Sequence, residues 1–532
     1  MVHPWVRQDS TDDAGGIGVL LFLPARVPFL TPPHVIVIGA GIGGLSTALD
    51  LVARGIRVDL FERAERPGGK MREIEIDGRA IDSGPTVFTM PWVFEGLFEA
   101  ADSRMDEHVV ARPVECLARH AWSGGGELDL FADPDRSADA IARMSGAAEG
   151  ARYRAFCAEA HRVFDTLYEP FIRSARPSVG SLVAASGLRG LIDLWRIRPF
   201  ESLWRRLGKS FEDPRLRGLF GRYATYCGSS PLLAPATLML IAHVEQRGVW
   251  QIEGGMQRLA DALAALITER GGRLHYDQTV AEIVVDRGRA TGVRLASGES
   301  VHADAVVANA DVASLATGRF GAAATAAVPP ANPKQRSLSA VTWSLLAETS
   351  GFELAHHNVF FPDDYPREFN EIFEQQRLPA RPAVYICAQD RGERHIPGPA
   401  RERLFMIMNA PAVGDRQSFD AERLEPMRSA VFELLEQCGL RLDTRPDDRV
   451  VTTPTDFEER FPATGGALYG ASAHGWRASF TRPGSRSRLP GLYLAGGSAH
   501  PGPGVPMVAL SGRMAAAAVL ADLQGNAGGE GQ

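Results

Sequence analysis

Four apolar residues in a row, Val35 to Ile38, read as a strand buried on both faces of a parallel sheet. They run into Gly39-Ala40-Gly41-Ile42-Gly43-Gly44. Leu45, Ala48, Leu49 and Val52 then recur at helical spacing, and Gly55 supplies a stop. Residues 57–61 form a second strand that ends at Glu62. Segments 72–76 and 79–82 flank Asp77-Gly78 and predict a hairpin. From 91 to 245 the pattern turns helical, as in Tyr153, Phe156, Ala160, Phe164, Leu167 and Phe171. This stretch is expected to cap the first domain and to help enclose an apolar cavity.

A helix at 259–270, stopped by Gly271-Gly272, brings the strand patterns back. Segments 273–276, 279–286, 291–295 and 301–307 predict a meander. Residues 321–336 (GAAATAAVPPANPKQR) are linker-like. Segments 340–346, 358–361, 383–388 and 404–409 predict a second sheet, with a helix near 426–437 over one face. The last pattern is a strand at 492–495, a glycine loop, and a helix through 518.

At 532 residues two or three domains are expected. The net charge of −7 gives nucleic acid no global attraction. The five cysteines (116, 157, 227, 387 and 438) are scattered and form no CxxC pair, so they read as buried thiols in a reducing compartment. No dense ligand cluster appears. His356 and His357 are adjacent, and neighbours in a strand point to opposite faces, so no metal is expected. No apolar run approaches the ~20 residues of a membrane span. Residues 1–33 read as a loose extension; GVLLFLP at 18–24 is short and lacks a basic flank, which weighs against the competing reading of a secretion signal.

The strand, glycine turn, helix, strand and acid of residues 34–62 are the parts a dinucleotide site needs. Gly39 permits the tight turn, Gly41 lets backbone approach a pyrophosphate, and Gly44 lets helix and strand pack closely, completing Gly39-x-Gly41-x-Gly43-Gly44. Phosphates meet free N–H groups at the helix N-terminus. Glu62 suits ribose hydroxyls and repels a 2′-phosphate. Downstream, Gly68-Gly69 lets main chain approach a ligand, and Lys70 or Arg63 can offset phosphate charge. Gly84-Pro85-Thr86 is a turn of little bulk, suited to a flat ligand. Residues 189–209 interleave six basic residues with Trp195, Ile197, Phe200, Leu203, Trp204 and Leu207, as a helix in an anionic lipid interface does, and Pro199 splits them into two short helices. The alternative is a solvated helix with its aromatics in the core.

Together the glycine fingerprint, Glu62, RPGGK (66–70) and DSGPTVF (82–88) resemble the FAD-dependent amine oxidase and phytoene desaturase superfamily. The resemblance implies one FAD. It puts Gly68, Gly69 and Lys70 at the pyrophosphate or ribityl region, Gly84, Pro85 and Thr86 near the flavin, and the backbone of Val280 at the adenine. GGM (254–256) would return the chain to the nucleotide domain. The C-terminal LYLAGGSAHPGPGVPMV (492–508) resembles bacterial carotenoid desaturases and makes Gly496, Gly497, Ser498, Val505, Pro506 and Met507 flavin-side residues. A helix N-terminus there stabilises negative charge on a reduced ring. DSGPTVFTMPWVFE, LARHAWSGGGELDLFAD, FCAEA and PATGGALYG look like the methoxyneurosporene dehydrogenase branch, or 1-hydroxycarotenoid 3,4-desaturases.

The implied fold is α/β: a Rossmann-like FAD-binding domain (34–90, 246–330 and 485–525) with a discontinuous α+β substrate domain (91–245 and 336–484), preceded by the extension and followed by a disordered tail (526–532). The implied activity is desaturation of an acyclic 1-hydroxy or 1-methoxy carotenoid, with a polar residue at the tunnel's closed end fixing register. The electron acceptor would be quinone or oxygen, since no second nucleotide fingerprint appears. The protein would sit in the cytoplasm, peripherally on the inner membrane. The alternatives are a phytoene desaturase, a flavin amine oxidase and a flavin-binding protein without catalysis. His500, on the flavin-side loop, is a candidate base or simply shapes that loop.

Overall fold

The structure is a computed structural model and describes residues 32–175, 197–198, 200–392 and 400–529. Five parallel strands form its nucleotide-side sheet, in the order Leu492–Leu494, Ala305–Ala308, His34–Ile38, Arg57–Phe61, Arg273–His275. The apolar run at 35–38 is central and buried, as a strand covered on both faces must be. Val35 and Val37 face the helices Ile42–Val52, Gln257–Glu269 and Val505–Gly529. Ile36 and Ile38 face the opposite layer, with Val293 and Leu295 of a three-stranded antiparallel sheet.

The expected meander at 273–307 is divided between these two sheets. Arg273–His275 and Ala305–Ala308 join the parallel sheet, while Val280–Asp286, Arg289–Leu295 and Ser300–His302 pair antiparallel. The expected strand at 301–307 is therefore two strands, broken at Ala303-Asp304, where the Asp304 carboxylate accepts from His34 N–H at 2.8 Å. The hairpin at Asp77-Gly78 forms as Glu73–Ile76 and Arg79–Asp82, with φ of 51° and 69° at the two turn residues. Such a turn needs both angles positive.

A second, larger sheet runs Leu440–Asp443, Ser339–Gly351, Glu402–Ala410, Val384–Ala388, His357–Phe361, Cys116–Trp122, Glu127–Phe131. Its last two strands come from the stretch that reads as helical in sequence. Cys116–Trp122 pairs in parallel with His357–Phe361, a partner more than 200 residues away that local periodicity cannot reveal. Helix Ala421–Gln437 covers the face holding Trp343, Phe360 and Met406. All five cysteines are unpaired.

Helix Val505–Gly529 runs past both the expected end at 518 and the start of the expected tail. Its Val505–Gly525 portion is long and apolar enough to cross a membrane, yet most of it is buried against Ile42–Val52. Of the basic-aromatic stretch at 189–209, residues 189–196 and 199 lie outside the described residues, as do 1–31 and 530–532. In the described part Leu203 and Leu207 are buried, the Trp204 ring packs on Gly221, and Arg206 and Lys209 pair with Glu159 and Glu201. That half thus uses its apolar residues in the core, apart from Phe200.

Gly44 shows how tight the nucleotide-side packing is: a Cβ there would lie 2.0 Å from the Gly39 carbonyl oxygen. Gly44→Ala is expected to cost about 1–3 kcal/mol by overpacking, seen as a lower urea midpoint; an unchanged midpoint would show that the turn yields. Buried Glu368 ties helix Tyr365–Phe373 to the large sheet, accepting from Ala383 N–H and Asn409 Nδ2, both at 2.7 Å. Burial raises its carboxyl from 4.5 to about 7. Between those values the native state holds the extra proton, so the contribution of this carboxyl to stability is greatest below 4.5 and falls as pH rises to about 7. The fall is on the order of 3 kcal/mol. Glu368→Gln should flatten this slope in urea midpoints taken across the window.

Candidate active site

One cavity of about 1050 Å³ runs between the two sheets. Small-molecule sites span roughly 300–1,000 Å³, so this one stands at the top of that range. At one end lies the glycine turn. Gly39, at φ 94°, donates its N–H to the Phe61 carbonyl, and helix Ile42–Val52 begins at Gly41 with no side chain capping its N-terminus. Those N–H groups are available to an anion. The segment Gly68-Gly69 folds over the turn: Gly68 N–H donates to Ala40 O at 2.9 Å, and a Cβ on Gly69 would lie 3.2 Å from Gly41 Cα.

Glu62 is buried at the mouth of this turn. Its Oε2 accepts from Ala40 N–H at 2.7 Å and its Oε1 from Ala64 N–H at 2.9 Å. The carboxylate thus braces the turn, and each oxygen keeps a lone pair for a further donor. Lys70 donates from Nζ to the Leu468 carbonyl at 2.5 Å, and its ammonium lies 5.1 Å from the Phe461 ring centre. Burial lowers its pKa, with Asp311 opposing. It therefore links the nucleotide side to the substrate side while also lining the cavity.

Sixteen of the candidate cofactor residues line this single cavity: Gly39, Gly41, Glu62, Arg63, Gly69, Lys70, Gly84, Pro85, Thr86, Val280, Gly496, Gly497, Ser498, Val505, Pro506 and Met507. Gly43 and Gly44 sit behind it, where a Cβ would meet Asn309 Oδ1 or Gly39 O. The Asp82-Ser83-Gly84 approach to the turn at Gly84 is pinned by Asp82, whose Oδ2 accepts from Met256 N–H at 2.8 Å. Burial raises the Asp82 carboxyl to about 6. Beyond the turn, Thr86 Oγ1 bonds Tyr385 OH at 2.7 Å, which in turn bonds His357 Nδ1 at 2.7 Å.

His500 is not in the lining. Its Nε2 donates to the Phe171 carbonyl at 3.0 Å and its ring stands edge-on to Phe171. Burial lowers its pKa to about 4, leaving a neutral, weakly basic ring at pH 7. His356 and His357 do not point to opposite faces. The strand starts at His357, so alternation does not bind His356, and the two rings meet Cys387 with ligand atoms within 4.8 Å of one another. Each imidazole already holds a hydrogen bond at Nδ1, to Arg391 O and to Tyr385 OH.

Sequence reading passed over two residues that organise the site. Asn309, ending the strand Ala305–Ala308, donates from Nδ2 to Gly39 O at 3.2 Å and lies under Gly41, Gly43 and Gly496. Half-buried Arg482 donates to the carbonyls of Gly497, Tyr469 and Ala471 at 2.9, 3.2 and 2.7 Å. It clamps the C-terminal glycine loop to the substrate side. The only local signal was the motif context, AVVANAD for one and Arg482-Pro483 for the other.

A family model for flavin-containing amine oxidoreductases matches residues 42–520. The chain belongs to this family. It is 53% identical to a hydroxyneurosporene desaturase of Rubrivivax gelatinosus, over 92% of this chain and 94% of that one. It is 46% identical to a protein of the same name from Cereibacter sphaeroides, over 92% and 98%. A 4,4'-diapolycopene oxygenase of Methylomonas is 32% identical, over 92% and 99%. Among solved structures, an oxidoreductase from Methanosarcina mazei superposes with TM-score 0.57 at 19% identity, over 92% and 100%. Putrescine oxidase bound to putrescine gives 0.56 at 15%, over 92% and 99%. These last two carry the fold: an α/β, two-domain, amine-oxidase-like flavoprotein.

FAD is the cofactor of this family, and the cavity fits it. The uncapped helix start, the glycine backbone that admits close approach, and Glu62 at the strand end form one cradle. Glu62→Ala would orphan the Ala40 and Ala64 N–H groups at about 1–3 kcal/mol each. The dissociation constant for FAD should rise at least about tenfold, read as free-flavin fluorescence on dilution; retention equal to wild type would remove Glu62 from the cradle.

Proposed function

We propose that this protein is an FAD-dependent desaturase that introduces a C=C bond into an acyclic carotenoid bearing a tertiary hydroxyl or methoxy group near one end. One observation carries the reading: the dinucleotide cradle and an apolar arm belong to the same cavity. That arm is walled by Leu167, Phe171, Ile172, Leu238, Ile241 and Val244. The hydroxyneurosporene desaturases that share about half of its residues support the substrate class.

Bound flavin supplies a hydride acceptor, so that one carbon loses a hydride, its neighbour a proton, and a C=C bond forms. The chain's own part is to hold the polyene in register and keep water out of the apolar arm. Quinone or oxygen would reoxidise the cofactor. Substrate would enter from lipid at the inner membrane: Phe200, 72% exposed, lines the cavity and packs edge-on against Trp476, another lining residue. An exposed aromatic at such a mouth suits an interfacial contact.

His500 acts as a positioning residue for the Phe171 wall in this reading. Loss of a general base lowers turnover about 10²–10⁴-fold. His500→Ala is expected to keep more than about a tenth of wild-type turnover with flavin bound; a hundredfold loss with full flavin would make it the base. The function itself is tested by incubating lipid-supplemented, flavin-loaded protein anaerobically with a hydroxylated acyclic carotenoid. Flavin bleaching and a red-shifted polyene spectrum are expected. Neither change, with bleaching by an amine instead, would return the protein to the amine oxidases.

A further inference from the structure

A cavity built for a polyene has little use for charge, and a buried charged group without compensation is costly. Among the several charged side chains that line this one are Arg222 and Glu245, the latter next in sequence to the wall residue Val244. Arg222 opens the short helix Arg222–Cys227, and Glu245 lies in Leu240–Gln246. Glu245 is 9% exposed and accepts from Tyr223 OH at 2.6 Å. The Tyr226 hydroxyl also interacts with Glu245. Arg222 donates from Nη1 to Tyr226 OH at 3.3 Å, and its guanidinium stands 5.4 Å from the Tyr226 ring centre and 5.3 Å from that of Tyr385. A guanidinium has five N–H donors. Among the described residues, Tyr226 OH is the one hydrogen-bond acceptor for the Arg222 side chain, and no carboxylate pairs with it. The pair therefore presents unused donors and a carboxylate acceptor to the same cavity.

The position of this polar island matters as much as its chemistry. Tyr385, under the Arg222 cation, bonds Thr86 Oγ1, so the island abuts the Gly84-Pro85-Thr86 turn. In a 1-hydroxy carotenoid desaturated at the 3,4 bond, the oxygen-bearing carbon is two carbons from the reacting bond. A group that reads that oxygen must then sit beside the flavin turn and not at the far end of a long tunnel.

We propose that Arg222 and Glu245 recognise the terminal oxygen of the acyclic carotenoid and so set which bond is desaturated. This rests on the substrate reading above. Arg222 donates to the substrate oxygen, and Glu245 accepts the hydroxyl hydrogen. A hydroxyl engages both residues, a methoxyl engages Arg222 alone, and a hydrocarbon end engages neither. The two residues are specificity determinants; the proton and hydride leave from other atoms.

The test uses flavin-loaded full-length protein with three polyenes of equal length and unsaturation. They carry hydroxyl, methoxyl or hydrogen at the terminal tertiary carbon. In Arg222→Met the kcat/KM ratio of hydroxylated to unsubstituted polyene should fall about 10- to 100-fold from wild type, as expected for a lost charge-assisted hydrogen bond. In Glu245→Gln the hydroxyl-to-methoxyl ratio should fall at least about fivefold. Flavin absorbance reports loading of each variant. A wild-type ratio in loaded Arg222→Met overturns the inference. If that variant fails to load, Glu245→Gln decides, and an unaltered hydroxyl-to-methoxyl ratio overturns it equally. Wild-type protein that desaturates all three alike overturns this inference alone, whereas wild-type protein that desaturates none overturns the functional reading.

Discussion

The close approach of backbones around Asn309 is the constraint on which the nucleotide side of this protein depends. Four glycine positions, Gly39, Gly41, Gly43 and Gly496, each lie within 3 Å of an Asn309 atom if given a Cβ. They come from two distant parts of the chain and meet a third. On the far side, Gly512 of the last helix presses on the Gly43 carbonyl, where a Cβ would sit at 2.3 Å. The first and last helices can therefore pack on one sheet only because neither carries a side chain at the crossing. That contact also aims two helix starts, at Gly41 and at Val505, into one cavity.

From this hub the site divides by chemistry. The glycine end offers N–H groups and the Glu62 carboxylate. The opposite arm offers hydrocarbon and aromatic surface. Between them, long-range polar ties hold the halves in register: Lys70 to Leu468, Arg482 to Gly497 and Ala471, Asp82 to Met256, Thr86 to Tyr385. The Thr86–Tyr385 tie is fully buried, and leaving either hydroxyl unsatisfied would cost on the order of 1–3 kcal/mol. Cofactor side and substrate side are thus joined by hydrogen bonds whose partners are up to about 400 residues apart. The same logic makes Arg222 conspicuous, since its donors are not consumed by such ties.

Much of the fold was legible wherever a local pattern had one structural answer. The strand-turn-helix of 34–62, the Asp77-Gly78 hairpin and the C-terminal strand and loop follow from backbone geometry, because only certain residues tolerate those angles. The strand Cys116–Trp122 was not legible, since its parallel partner lies beyond 350, and Glu127–Phe131 joins the sheet only through it. The segment at 301–307 looked like one strand because the break at Ala303-Asp304 leaves its apolar pattern intact. His500 fell on a loop that reaches the cavity through Pro501, yet its ring turns to Phe171.

By itself, the sequence determined the chemistry available: a dinucleotide turn, an acid after the second strand, low-bulk glycine loops and a membership that implies FAD. Those depend on residue type and spacing within a few turns of chain. Tertiary structure alone decided which of these groups share a space. It placed Asn309 and Arg482 as clamps, withdrew His500 from the cavity, paired the His356-His357 edge with Cys387, and set Arg222 and Glu245 in an apolar wall. The physical reason is that burial and hydrogen-bond satisfaction are properties of packed neighbours, and these neighbours are set by contacts between segments hundreds of residues apart.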